Sequence, residues 1–149
     1  MIEGVQVLPL RRIPDERGMV SHMLKRTDPH FKEFGEIYFS SIYPGVVKGW
    51  HIHDRMTLNY ACIVGDIKMV LYDEREGSRT KGEVQVIYLG PKNYALAIVP
   101  QGVWNGFMNV GTSEAIVANC ATIPHDPSEI RRLDPHKNHI PYDWARKNG

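Results

Sequence analysis

Short runs rich in Val, Ile, Tyr and Phe recur between clusters of Gly, Pro and Asn, at 36–41, 46–53, 58–64, 66–71, 83–89, 94–98, 106–109 and 115–121. Apolar runs of this length bounded by turn residues predict strands, and a series of them predicts an all-β sandwich or barrel. Tyr43-Pro44-Gly45, Val64-Gly65-Asp66, Arg75-Glu76-Gly77-Ser78, Gly90-Pro91-Lys92-Asn93 and Asn109-Val110-Gly111 supply the tight-turn dihedrals between them. Two stretches carry helix signals. Asp28-Pro29 with Gly35 predicts a short helix, and Asp126-Pro127-Ser128-Glu129 predicts a capped turn continuing over 130–133. Residues 1–14 alternate weakly, and 144–149 show no apolar pattern, so a frayed tail is expected. With no repeat, linker or low-complexity stretch, the 149 residues are read as one domain, 1–149.

Charge narrows the possible partners. Lys and Arg number 18 against 17 Asp and Glu, which leaves no net field to hold a nucleic acid. Any anion must therefore meet a local cluster. No apolar run approaches the roughly 20 residues of a membrane span, and the N-terminus lacks a signal peptide's apolar core, so a soluble cytoplasmic protein is expected. Cys62 and Cys120 each sit in an apolar run and read as small core residues in a reduced compartment.

The candidate chemistry begins at Gly45-Val46-Val47-Lys48-Gly49-Trp50-His51-Ile52-His53. On a strand, His51 and His53 share one face with Gly49. The Gly-x5-His-x-His spacing is that of the first cupin motif, which predicts a double-stranded β-helix (jelly-roll) barrel. The remaining cupin metal ligands are missing: Leu58 stands at the Glu position and Asn105, in Pro100-x-Gly102-x-x-Asn105-x3-Asn109, at the third His position. Two imidazoles and an amide make a poor site for zinc or iron, so no metal or other cofactor is expected.

From Asp15 to Trp144 the chain resembles the dTDP-4-dehydrorhamnose 3,5-epimerase family. The resemblance rests on Asp15-Glu16-Arg17-Gly18, on Gly45 to His51, on Asp73-Glu74-Arg75-Glu76-Gly77-Ser78-Arg79-Thr80-Lys81-Gly82, and on Pro100-Gln101-Gly102-Val103-Trp104-Asn105-Gly106-Phe107. It implies proton abstraction beside a 4-keto group and return of a proton from the other face. The family uses a His base oriented by an Asp near the C-terminus, a Lys that stabilises the enolate and a Tyr acid. His51 matches the base; Leu58 stands at the Lys position and Asn119 at the Tyr position, and the C-terminal Asp segment is absent. Glu36 and Tyr38 lie where the family has amides lining the sugar site, and Tyr60 shares the face of Leu58.

Replacement groups are thus available. Tyr38 or Tyr60 is a candidate acid, Glu36 a candidate orienting group for His51, and Asn105 and Asn119 candidate hydrogen-bond partners of a carbonyl. His53 is a further candidate for binding the substrate; the plainer reading makes the tyrosines wall aromatics and His53 a histidine bonded within the wall. Arg17 and Lys48 match family positions that meet the nucleotide's phosphates. The resemblance also implies a homodimer whose N-terminal strands cross to the partner. The function expected is epimerisation or isomerisation of a nucleotide sugar without metal, in polysaccharide or deoxysugar biosynthesis. The alternatives are an inactive cupin that binds such a ligand and a metal-dependent cupin with a reduced ligand set.

Overall fold

A computed structural model describes residues 1–148. Its strands are β1 (Gln6–Pro9), β2 (Arg12–Asp15), β3 (Gly18–Ser21), β4 (Glu36–Ile42), β5 (Val47–His53), β6 (Leu58–Val64), β7 (Ile67–Asp73), β8 (Val84–Leu89), β9 (Ala95–Val99), β10 (Val103–Asn109), β11 (Ala115–Ala121) and β12 (Ile130–Arg132). Two five-stranded antiparallel sheets, ordered β1-β9-β6-β11-β4 and β12-β5-β10-β7-β8, face each other, and β2-β3 forms a separate hairpin. All eight strand runs expected from the sequence are present. Among the described residues no helix is long and apolar enough to cross a membrane.

Ile42, Leu58, Ile67, Met69, Leu71, Val99 and Phe107, contributed by both sheets, fill the space between them. Alternation along each strand sends these side chains inward. Both cysteines are buried free thiols. A second cluster lies on the outer side of the β5-containing sheet, where Trp50, Ile52, Val70, Trp104 and Met108 meet Ile140 and Trp144. Backbones approach closely at one place that matters for the site: a Cβ on Gly49 of β5 would stand 2.9 Å from the Cα of Gly106 on β10. Glycine at both positions lets these strands close beside His51.

Three local expectations are corrected. Residues 26–30 form turns and no helix follows, because the Asp28 carboxylate accepts the Lys25 N–H at 2.8 Å, behind it in the chain, and so caps nothing ahead. The Asp126 cap is real, with Oδ1 accepting the Ser128 N–H at 2.9 Å, but it starts only a 3-10 turn (Pro127–Glu129). Residues 130–132 then pair with β5 as β12, where a helix over 130–133 was expected. The frayed tail is likewise overturned for Trp144, which is 2% exposed and packs on Trp50 with ring centroids 5.1 Å apart.

Candidate active site

A cavity of about 530 Å³ opens between the sheets. Register across the strands explains what lines it. On one side Tyr60 of β6 pairs with Asn119 of β11, which pairs with Tyr38 of β4. On the other, Arg132 of β12 pairs with His51 of β5, which pairs with Asn105 of β10. Directly paired residues point to the same side of a sheet, so two polar rows face each other in an interior otherwise filled with apolar side chains. The rows meet where His51 Nε2 lies 3.2 Å from the Tyr60 hydroxyl.

Each row is held by its own hydrogen bonds. Asn119 Oδ1 accepts the Asn59 N–H at 3.0 Å, which fixes the amide so that its Nδ2 donates to the Tyr38 hydroxyl oxygen at 2.8 Å. The Tyr38 O–H hydrogen is thereby free for a ligand. Burial raises the Tyr38 phenol above its ordinary range and pushes Tyr60 well above it, so both remain protonated donors at neutral pH. Asn105 is buried beneath the cavity wall, where it accepts from Tyr60 at 3.4 Å and donates to the His51 carbonyl at 3.2 Å.

The two histidines differ in their surroundings. Burial, with His53 and Arg132 adding to it, pushes the His51 imidazole down to about 3. It is a neutral ring at physiological pH, and among the described residues no carboxylate bonds it. Glu36 does not orient it: the Glu36 carboxylate lines the cavity but accepts the His125 N–H at 3.3 Å. His53 does have a carboxylate partner, with its Nδ1 against Glu129 Oε1. Glu129 Oε2 accepts the N–H groups of Arg55 and Met56 at 3.1 and 3.2 Å. Burial tends to raise the Glu129 carboxyl, but the bonds from His53, Arg55 and Met56 outweigh it and hold the group below its ordinary value.

The sequence placed Glu36, Tyr38, Lys48, His51, His53, Tyr60 and Asn119 among the candidate residues, and all line this cavity. Arg17 does not. It sits at the β2-β3 turn with its side chain 85% exposed, paired to Asp15 at 2.6 Å. Lys48 stands at the rim and donates to Ser40 Oγ at 2.9 Å. Sequence reasoning missed Arg132, the cation beside His51, because 130–133 read as helix. It also took Glu129 only as a capping residue. Strand parity from a correctly assigned β12 would have found Arg132; no local signal marks Glu129 as a partner of His53, 76 residues away in the chain.

The model of the dTDP-4-dehydrorhamnose 3,5-epimerase family matches residues 1–148. The chain belongs to this family. The spore coat polysaccharide biosynthesis protein SpsL of Bacillus subtilis is 33% identical over 143 residues, covering 96% of this chain and 91% of its own. The probable low-salt glycan biosynthesis epimerase Agl13 of Haloferax volcanii is 32% identical over 144 residues, covering 95% and 89%. The crystal structure of a dTDP sugar isomerase from Desulfovibrio desulfuricans G20 superimposes with a TM-score of 0.95 at 46% identity, over 99% of this chain and 94% of that one. The structural match confirms the jelly-roll fold, and the family match a kinship with carbohydrate 3,5-epimerases. Against the epimerase pattern, Leu58 is buried, pairs with Val99 and takes no part in the cavity lining, whereas Asn119 lines it. The 73–82 motif is structural in this member: the buried Asp73 carboxylate accepts from Arg75, Ser78 and Thr80 at 2.6–2.9 Å and so closes the loop on itself.

Proposed function

We propose that the protein epimerises a nucleotide-linked 4-keto-6-deoxyhexose, of the dTDP-sugar class, by proton transfer at a carbon next to the carbonyl, in cytoplasmic polysaccharide or deoxysugar biosynthesis. The observation that carries this reading is the pair of facing polar rows. Inversion at carbon requires a proton to leave one face and return to the other. Imidazoles stand on β5 and tyrosines on β4 and β6, in opposed sheets, so a sugar ring lying between them meets a base on one face and an acid on the other.

The chemistry follows from the groups available. An imidazole takes the proton, the C–H electron pair forms the C=C bond of the enolate, and the carbonyl pair moves to oxygen. Fixed donors lower the cost of that oxyanion. Tyr38, protonated and with its hydrogen free, returns a proton to the opposite face. Lys48 and Arg132 at the rim supply the two cations a diphosphate needs, and Arg132 offers a planar fork.

A homodimer completes the reading. The β2-β3 hairpin exposes Ile13, Met19 and Val20, and β4 on the sheet edge exposes Ile37 and Phe39. Exposed apolar side chains on a hairpin and an edge strand suit strand exchange with a second copy, which would carry Arg17 toward the neighbour's phosphate site.

Incubation with a dTDP-linked 4-keto-6-deoxyhexose in deuterium oxide, followed by NMR, tests the proposal. Deuterium is expected at one or both carbons flanking the carbonyl. A protein that binds dTDP but exchanges nothing would instead be a binding cupin, the reading favoured by the loss of the family's lysine at Leu58.

A further inference from the structure

Three histidines line the cavity, His51, His53 and His125, and the family resemblance assigns a role to only one of them. His125 is exposed on the loop after β11, its N–H bonded to Glu36, whereas His51 and His53 share the inner face of β5. His53 has the setting of a general base: its Nδ1 is engaged by Glu129, whose other oxygen is tied to the backbone of Arg55 and Met56. Among the described residues its Nε2 has no protein partner, and the ring lines the cavity. A carboxylate bonded to Nδ1 keeps the proton there, presents the Nε2 lone pair and stabilises the imidazolium once a proton is taken. His51 has no such carboxylate, and its Nε2 is bonded to the Tyr60 hydroxyl.

We infer that His53, positioned by Glu129, is the base that removes the proton, while His51 acts as a neutral imidazole whose one hydrogen, the Nε2–H directed at the Tyr60 hydroxyl oxygen, is shared with the enolate oxygen when substrate is bound. This rests on the epimerase reading above and reverses the roles that resemblance alone would give. The low affinity of His51 for a proton agrees with it, since a ring that stays neutral to about 3 is a poor base near pH 7 and a serviceable hydrogen-bond donor. A second electrophile is needed here because Leu58 replaces the family's lysine. Proton balance is simple. His53 Nε2 gains the proton from carbon, Tyr38 delivers one to the other face, and both are restored through water at the open mouth of the cavity.

A pair that merely pins the 3-10 turn to β5 would not need its imidazole in the cavity wall, and the two roles separate experimentally. The probe is a dTDP-linked 4-keto-6-deoxyhexose in deuterium oxide, with dTDP affinity and melting temperature measured on the same samples. His53→Gln is expected to lower the exchange rate by roughly 10²-fold or more, with dTDP affinity within about threefold. His51→Gln, whose amide can still donate to an oxyanion, should retain more exchange than His53→Gln. Glu129→Gln should slow exchange roughly tenfold or more at unchanged dTDP affinity, and Glu129→Asp should recover part of it. Nitrogen-15 NMR of the histidine rings gives a readout independent of turnover: the wild type should show the His53 proton on Nδ1, and Glu129→Gln should release it. Exchange by His53→Gln within threefold of wild type, or a His51→Gln variant more impaired than His53→Gln, overturns the assignment. So does loss of dTDP binding in step with exchange, which would mark His53 as structural. Exchange absent from the wild-type protein itself overturns the epimerase reading, and this inference with it.

Discussion

The Tyr60 hydroxyl on β6 and the His51 Nε2 on β5 lie 3.2 Å apart and join the two sheets across the floor of the cavity. Tyr60 is buried, stands edge-on to Phe107 with centroids 5.8 Å apart, and also reaches Asn105. Tyr60→Phe keeps the ring packing and removes only the oxygen. The buried Asn105 Oδ1 then loses a donor, so a destabilisation of about 1–3 kcal/mol is expected. Proton exchange should fall roughly tenfold or more, because the His51 ring is no longer held. Urea unfolding and solvent exchange on the same variant check both; unchanged exchange would show that this contact has no part in the reaction.

Nucleotide affinity should follow the rim cations. Arg132→Ala is expected to weaken dTDP binding roughly tenfold, the worth of one charge-assisted hydrogen bond of about 1.5 kcal/mol. Lys48→Arg should keep or improve it by supplying a fork. Arg17, exposed on its hairpin, can contribute only to a neighbouring copy's site. Arg17→Ala should therefore weaken dTDP binding if light scattering shows a dimer at micromolar protein. Calorimetric titration with dTDP is the measurement, and a monomer whose affinity ignores Arg17 would remove the exchange of strands.

The parts of this site legible in the sequence were those governed by strand parity and fixed spacing. His51 and His53 share a face because alternation leaves no other choice, and Tyr60, Asn119 and Tyr38 line up because their strands are consecutive in the sheet. Arg132 escaped because a three-residue strand is too short to carry a period, while Asp126-Pro127 gives a true capping signal that local chemistry extends into helix. Pairing with β5 decides the matter, and that is a tertiary effect. Trp144 escaped for a related reason: one aromatic among Arg, Lys and Asn shows no pattern, although the face of β5 it covers was already marked by Trp50. The pairing of Glu129 with His53 depends wholly on how the chain returns across the barrel.

Trp144 should matter more than its place near the C-terminus suggests. It packs on Trp50 and, with Tyr142, lies against the Lys68 ammonium, 5.8 and 5.3 Å from the two ring centroids. Trp144→Ala removes a fully buried ring and is expected to cost about 3–5 kcal/mol. The cluster is on the outer side of the sheet, so dTDP affinity of the folded fraction should change little. Urea unfolding reads the first effect and calorimetry the second; a variant as stable as wild type would show that the tail is only loosely attached.

Acid should destabilise the protein in two stages. His51 binds its proton only near 3 in the native state but near 6.5 when unfolded, so below about 6.5 the unfolded chain takes up a proton that the native state refuses. Stability therefore falls as pH drops from about 6.5 towards 3. Asp73 and Glu129 act lower. Burial opposes ionisation at both, but the bonds to Asp73 from Arg75, Ser78 and Thr80, and to Glu129 from His53, Arg55 and Met56, outweigh it and depress both carboxyls. Their contributions are fully present above the ordinary carboxylate range of about 4 and are lost as pH falls through the lower native values. Melting temperature should thus begin to decline near 6.5 and decline more steeply below about 4. His51→Gln should flatten the first stage alone, since glutamine takes up no proton in either state. Asp73→Asn should weaken the second while lowering stability at neutral pH, where the carboxylate's bonds are lost. Thermal unfolding from pH 8 to 3 distinguishes these outcomes, and a first stage that persists in His51→Gln would mean that another group resists protonation in its place.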